Sequence, residues 1–220
     1  DDNGITLHVS ATVTAIESKQ VKAVKDGKEF TVAADAVVMA VGARPKTELA
    51  KDAGLEIGTT GGIWVDHNYR TSDADIYAVG DAIESYNMLA HAPGRIALAG
   101  PTQRQASAAA DHICGMYNTN KGYIGSSCIK VFGQNAACTG LNEREAKRLG
   151  YSYDSVMIFP MDRVGLMPGA NYMVFKLVFE IPTGRILGAQ AIGTGECDKR
   201  VDVIAAMITM GGRLEDLKEM

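Results

Sequence analysis

The chain has 220 residues, 46% of them hydrophobic and 22% charged, with a net charge of −4. That balance fits an ordinary globular protein, gives no electrostatic reason to expect nucleic acid, and includes no apolar run of about 18 residues that would span a membrane. Cys114, Cys128, Cys138 and Cys197 are scattered without a CxxC pair, which excludes a compact zinc site or a CxxC redox pair and fits reduced thiols in the cytoplasm.

The opening DDNGITLHVS has no basic stretch leading into an apolar core, so it does not read as a signal peptide. It reads as the middle of a protein, with Ile5-Thr6-Leu7-His8-Val9 already strand-like. ATVTAIES alternates polar and apolar, and VKAVKDGKEFTV holds Asp26-Gly27, a strong hairpin signal. AVVMAVGARP (36–45) is a continuous apolar run closed by Gly42 and Pro45, the pattern of a strand buried on both faces. Residues 47–53 form a short predicted helix ended by Gly54. A strand is expected over 61–66, and IYAVGD (76–81) is a second apolar run that stops at glycine and carboxylate.

A helix is predicted from Pro101, capped by Gly100 or a neighbour and ending near Gly115. After about residue 118 the character changes. CIKVFGQNAACTGL is strand-like, and Asn142 with Glu145 resembles a capping box before a helix at 143–149. YDSVMIFPM is a further strand, and MVFKLVFEIPTGRILGAQAIG is a hairpin turning at Pro182-Thr183-Gly184. The last long helix carries an apolar stripe at 201, 204, 207 and 208. The terminal RLEDLKEM looks like a helix cut short.

Asp81 is the first residue with a chemical suggestion. A charged group at the carboxyl end of a strand in an α/β sheet faces the ligand crevice. Gly80 before it allows close approach, and an ionised carboxylate accepts hydrogen bonds from vicinal hydroxyls such as those of a polyol chain or a ribose. The alternative is that Asp81 simply caps the next turn.

Thr71 through Asp81, TSDADIYAVGD, resembles the second FAD motif T-S-x-x-x-I-[YF]-A-x-G-D of the FAD-dependent pyridine nucleotide-disulfide oxidoreductases. Val38 through Pro45 resembles that family's ATG-type segment, and Leu98-Ala99-Gly100-Pro101-x-x-Arg104-Gln105 resembles its LAGPxxRQ string. The resemblance implies an α/β fold: the end of a reductase with two dinucleotide-binding domains, followed by an α+β dimerisation domain. It divides the chain into 1–45, the end of an NAD(P)-binding domain, 46–118, a returning segment of the FAD domain, and 119–220, a dimerisation module. It also implies that Asp81 bonds the flavin ribitol and that the helix amino terminus faces the flavin pyrimidine edge. Gly42, Gly80, Asp81, Leu98, Ala99, Gly100 and Thr102 are the implied cofactor-binding residues. Arg104 is either part of this surface or a solvated or sheet-paired cation.

MVFKLVFEIPTGRILGAQAIG followed by CDKRVDVIAAMI closely resembles the members that reduce coenzyme A disulfides, coenzyme A persulfides, oxygen or peroxide, which implies electrons passing from NAD(P)H through FAD. The chain carries no GxGxxG, and none of its cysteines matches the family's redox cysteine. Met167, in Leu166-Met167-Pro168-Gly169-Ala170, stands where coenzyme A disulfide reductases have an active-site tyrosine, with Tyr172 close by. The His-Pro and downstream Glu of the glutathione-reductase branch are missing as well. The expectation is therefore a carboxyl-terminal portion of a longer enzyme, inactive alone and catalytically empty in this segment. It should form a homodimer through 119–220, on the strength of the apolar strand pair 173–192 and helix 198–210. The competing expectation is a non-enzymatic dimerisation or interaction module that kept the fold without the cofactor.

Overall fold

A computed structural model describes residues 3–118 and 120–220; Thr119, the expected start of the last module, lies outside the described residues, as do Asp1 and Asp2. The chain divides into two compact units, the first ending at Ala43 and the second running Arg44–Met220.

The first unit is an antiparallel sheet of β1 (Ala11–Glu17), β2 (Gln20–Lys25) and β3 (Lys28–Ala33) in that order. Its β2–β3 hairpin turns at Asp26 and Gly27, both at positive φ (52° and 74°), the backbone that Asp-Gly adopts readily and that matches strand twist. The next expected strand does not form. Residues 36–45 have no ladder among the described residues, and Val38 and Val41 are 91% and 84% exposed. Residues 5–9 form no regular strand either. An apolar run signals a demand for burial, but a strand exists only where another strand supplies the facing hydrogen bonds.

The second unit opens with α1 (Glu48–Asp52), followed by irregular chain to a 3₁₀ turn at Gly80–Ala82, then β4 (Ser85–Asn87) and β5 (Ala92–Gly94). The expected strands at 61–66 and 76–79 are reduced to isolated bridges, Ile63 with Ile57 and Ile83, and Tyr77 with Arg70. Tyr77, Ala78 and Val79 still pack, on a small core of Tyr69, Ile83 and Ala109. Helix α2 (Ala99–Ile113) then leads to the module containing β6 (Ser126–Val131), β7 (Gln134–Gly140), α3 (Glu143–Arg148), β8 (Tyr153–Ile158), β9 (Met173–Glu180), β10 (Ile186–Gly193), α4 (Cys197–Met210) and α5 (Leu214–Lys218).

The five strands form one antiparallel sheet in the order β6-β7-β10-β9-β8. Helix α4 packs on one face, over β7 and β10. Its stripe of Val201, Ile204, Met207 and Ile208 is buried as the sequence implies, and Ile204, Met207 and Ile208 share one core with Leu177, Val178, Ile186 and Leu187. The other face holds α3 at its β8–β9 end and is open elsewhere: Ile192 on β10 pairs with Ala136 and Val174, and Ile129 on β6 faces Ala136. Ile129, Met157 and Ile192 are all exposed there. The apolar stripe of helix 198–210 is thus already used within one protomer, and the unpartnered apolar surface is the opposite sheet face. Among the described residues, no helix is long and apolar enough to cross a membrane.

Helix α3 starts with a complete capping box: Glu145 N donates to Asn142 Oδ1 (2.9 Å) and Asn142 N donates to Glu145 Oε2 (3.3 Å). Lys176 on β9 holds the same helix through its ion pair with Glu143. Asn142→Ala removes one acceptor and should lower unfolding free energy by about 1 kcal/mol, seen as a lower urea midpoint at unchanged slope. An unchanged midpoint would show that the cap contributes nothing.

Candidate functional site

The chain reaches the candidate site through a tight loop centred on Asp66. Asp66 Oδ1 accepts from the amides of Asn68 (2.8 Å) and Arg70 (3.0 Å), and Oδ2 accepts from Arg70 Nε (3.3 Å). Burial alone would raise the Asp66 carboxyl, but these donors outweigh it and hold it below the ordinary carboxylate range. The loop carries Tyr69 at φ 66° into the core. Ala78 N then donates to Tyr69 O (3.0 Å), which sends Val79 toward the 3₁₀ turn.

The turn is gripped from two sides. On one, Ile63 N donates to Ala82 O (2.8 Å) and Glu84 N donates to Ile63 O (2.9 Å). On the other, Gly80 N donates to Gln105 Oε1 of α2 (2.7 Å). Gly80 has φ 86°, and a Cβ there would stand 3.3 Å from Thr102 Cγ2. This residue needs to be glycine for both reasons, left-handed backbone and close approach to the helix.

Asp81 follows in the turn, exposed. Its side chain makes no ion pair or hydrogen bond among the described residues, and it does not cap its own turn. The capping alternative therefore has no bond behind it here.

Helix α2 begins two residues earlier than expected. Leu98 (φ −137°, ψ 140°) is the cap residue, not Gly100, and Pro101 is the third helical residue. Proline is accommodated because the first four amides of a helix have no acceptor within it. Leu98 offers no side-chain acceptor, so the amides of Ala99 and Gly100 are left without a side-chain cap. Thr102 directs its hydroxyl to Leu98 O (3.1 Å), which commits its proton to the helix itself. At the far end, Tyr77 Oη and His112 Nδ1 lie 2.7 Å apart, fastening the last turn of α2 to the chain that leads into Gly80.

The structure thus brings Gly80, Asp81 and Thr102 together with the exposed amino-terminal turn of Leu98, Ala99 and Gly100. Leu98, Ala99 and Gly100 also line a cleft of about 950 Å³ whose opposite wall includes Ala205 and Met210; Gly80 and Asp81 do not line it. Gly42 belongs to the first unit. Arg104 is exposed and forms no ion pair among the described residues. Chemically, the group offers a free carboxylate to hydroxyl donors and free amides, with a helix dipole behind them, to a carbonyl-rich or anionic edge. A ligand carrying both, as a flavin with its ribityl chain does, fits that donor and acceptor set.

Gln105 is the residue that sequence reasoning passed over. It stands at the end of the LAGPxxRQ-like string, but the partners that give it a role, Gly80 and Ser85, lie 25 and 20 residues away in sequence. Cys114, Cys128 and Cys138 are exposed, while burial, reinforced by the charges of Asp198 and Asp162, pushes the Cys197 thiol up. Met167 and Tyr172 lie exposed in the 163–172 segment.

Residues 1–106 match the pyridine nucleotide-disulphide oxidoreductase family, and residues 126–220 match the dimerisation domain of pyridine nucleotide-disulphide oxidoreductases. The CoA-dependent NAD(P)H sulfur oxidoreductase of Pyrococcus furiosus is 33% identical over 97% of this chain and 48% of its own length. The coenzyme A disulfide reductase of Staphylococcus epidermidis is 30% identical over 84% of this chain and 42% of its own. An NAD-dependent persulfide reductase from A. fulgidus superposes with a TM-score of 0.93 at 38% identity, covering 100% of this chain and 41% of that one. The chain spans about half the length of the curated relatives it matches.

Gly80→Ala places a side chain in left-handed backbone against Thr102. It should destabilise the turn by about 1–2 kcal/mol, so that amides of residues 80–83 exchange roughly 5–30 times faster. Unchanged exchange would mean that the turn is not held in this conformation.

Proposed function

We propose a function from one premise: the chain belongs to the pyridine nucleotide-disulphide oxidoreductases. It forms the carboxyl-terminal part of a flavoprotein reductase that passes electrons from NAD(P)H through FAD to a disulfide, a coenzyme A-type persulfide, oxygen or peroxide. Residues 1–45 close an NAD(P)-binding domain, 46–118 return to an FAD-binding domain, and 119–220 form the dimerisation module. Bound FAD would supply the chemistry, accepting hydride equivalents and releasing electrons to the acceptor.

The residues of this chain bind and orient. Asp81 accepts hydrogen bonds from ribityl hydroxyls, Gly80 lets the turn lie close against α2, and the Ala99 and Gly100 amides face the pyrimidine edge. The dipole of α2 favours negative charge at that edge by about 0.3–1 kcal/mol, and up to about 2 when partly buried. Leu98 and Thr102 shape the first turn of that helix. Met167 has no proton to give, so a thiolate released on reduction of a disulfide would draw its proton from another group. The observation that carries the reading is the exposed, unpartnered Asp81 on a turn docked to an uncapped helix terminus. A cofactor-free interaction module would explain the open sheet face but would leave that carboxylate and those amides without a purpose. Four unpaired cysteines suit a reducing, cytoplasmic setting.

Homodimerisation covers the open face of the five-stranded sheet, where Ile129, Met157 and Ile192 are exposed. Ile192→Glu should convert the intact protein from dimer to monomer by light scattering; a persisting dimer would move the interface elsewhere. Asp81→Ala in the intact protein removes charge-assisted hydrogen bonds of about 1.5–3 kcal/mol and should weaken FAD binding roughly 10- to 100-fold, measured by flavin fluorescence. Unchanged flavin affinity would remove Asp81 from the ribityl role.

A further inference from the structure

We infer that Gln105 is a positioning residue for the cofactor: it locks the Gly80–Asp81 turn to the amino-terminal half of α2, so that carboxylate and helix amides meet one ligand as a fixed pair. The inference rests on the reading of Asp81 given above.

Gln105 is 4% exposed, deep for an uncharged amide side chain on an otherwise small-residue helix. Both halves of its amide are used, and both go to the same segment. Oε1 accepts from Gly80 N (2.7 Å), just before Asp81, and Nε2 donates to Ser85 Oγ (3.3 Å), just after the turn. The side chain therefore brackets the Asp81 turn at its two ends. The left-handed φ of Gly80 is what aims that amide at the helix. Without Gln105, this buried amide loses its acceptor, and the turn keeps its attachments to Ile63 but loses the hydrogen bonds that tie it to α2. Gln105 itself touches neither Asp81 nor the Ala99 and Gly100 amides in any hydrogen bond among the described residues, so its effect on a ligand must pass through the turn.

A role in positioning predicts coupling, and a role in general stability does not. The intact protein is prepared as apoprotein in four forms: wild type, Asp81→Ala, Gln105→Leu and the double variant. FAD dissociation constants are measured by flavin fluorescence, and exchange of the Gly80 amide by mass spectrometry. Gln105→Leu should weaken FAD about tenfold and speed Gly80 exchange, while the double variant should bind no more weakly than Asp81→Ala alone, within about twofold. Gln105→Glu, which keeps an acceptor for the Gly80 amide, should recover most of the loss; this variant also covers the case in which Gln105→Leu fails to fold. Independent effects that multiply in the double variant would overturn the role of Gln105 while leaving Asp81 in place. An Asp81→Ala protein with wild-type affinity would overturn the Asp81 reading, and the inference with it.

Discussion

A single backbone amide, donated by a left-handed glycine to the side chain of a buried glutamine, holds the candidate site together. Through it the turn that bears Asp81 is docked on α2 with Thr102 as the contact surface. A carboxylate near a helix amino terminus ordinarily folds onto it as a cap and both groups are satisfied. Here the 3₁₀ turn is held by Gln105 on one side and Ile63 on the other, α2 starts at a leucine that cannot cap, and Asp81 stays unpartnered. Acceptor and donors remain available to a third party. That unsatisfied pairing of opposite polarities is what makes a ligand carrying both hydroxyls and a carbonyl-rich edge the natural occupant.

The carboxyl-terminal module works by a different logic. Its sheet carries α4 on one face, while α3 is pinned to the β8–β9 end of the other through Glu143 with Lys176 and Ser155. The α4 residues Ile204, Met207 and Ile208 share one core with Leu177, Val178, Ile186 and Leu187. Elsewhere on that second face Ile129 and Ile192, across Ala136, stay exposed. The candidate site and this apolar surface sit on separate elements of one unit, and α2 and α4 both line one cleft, through Leu98, Ala99 and Gly100 and through Ala205 and Met210.

Local signals were read well because their physics is local. Asp26-Gly27 fixes its hairpin by backbone preference, Asn142 and Glu145 complete their box within four residues, and the α4 stripe follows helical periodicity. The runs VVMAV and IYAV imply strands that do not form, because an apolar run states what must be covered and not what will pair with it. Asp81 could be found from its motif, since strand-like residues ending in Gly-Asp put a charge at a fixed corner. Gln105 could not be found from local pattern alone: its partners, Gly80 and Ser85, are 25 and 20 residues away, and only folding reveals that both ends of the turn meet one side chain. The helix start also escaped, since Pro101 suits the first helical position and equally the third.

The account stands or falls on where one carboxylate points when the intact protein holds its cofactor. A crystal structure of the full-length, FAD-bound polypeptide tests this directly. The account predicts Asp81 oxygens within hydrogen-bond distance, about 3 Å, of ribityl hydroxyls, with the Gly80 amide still on Gln105. An Asp81 side chain turned to solvent beside a bound flavin, or a flavin seated away from the start of α2, would contradict it.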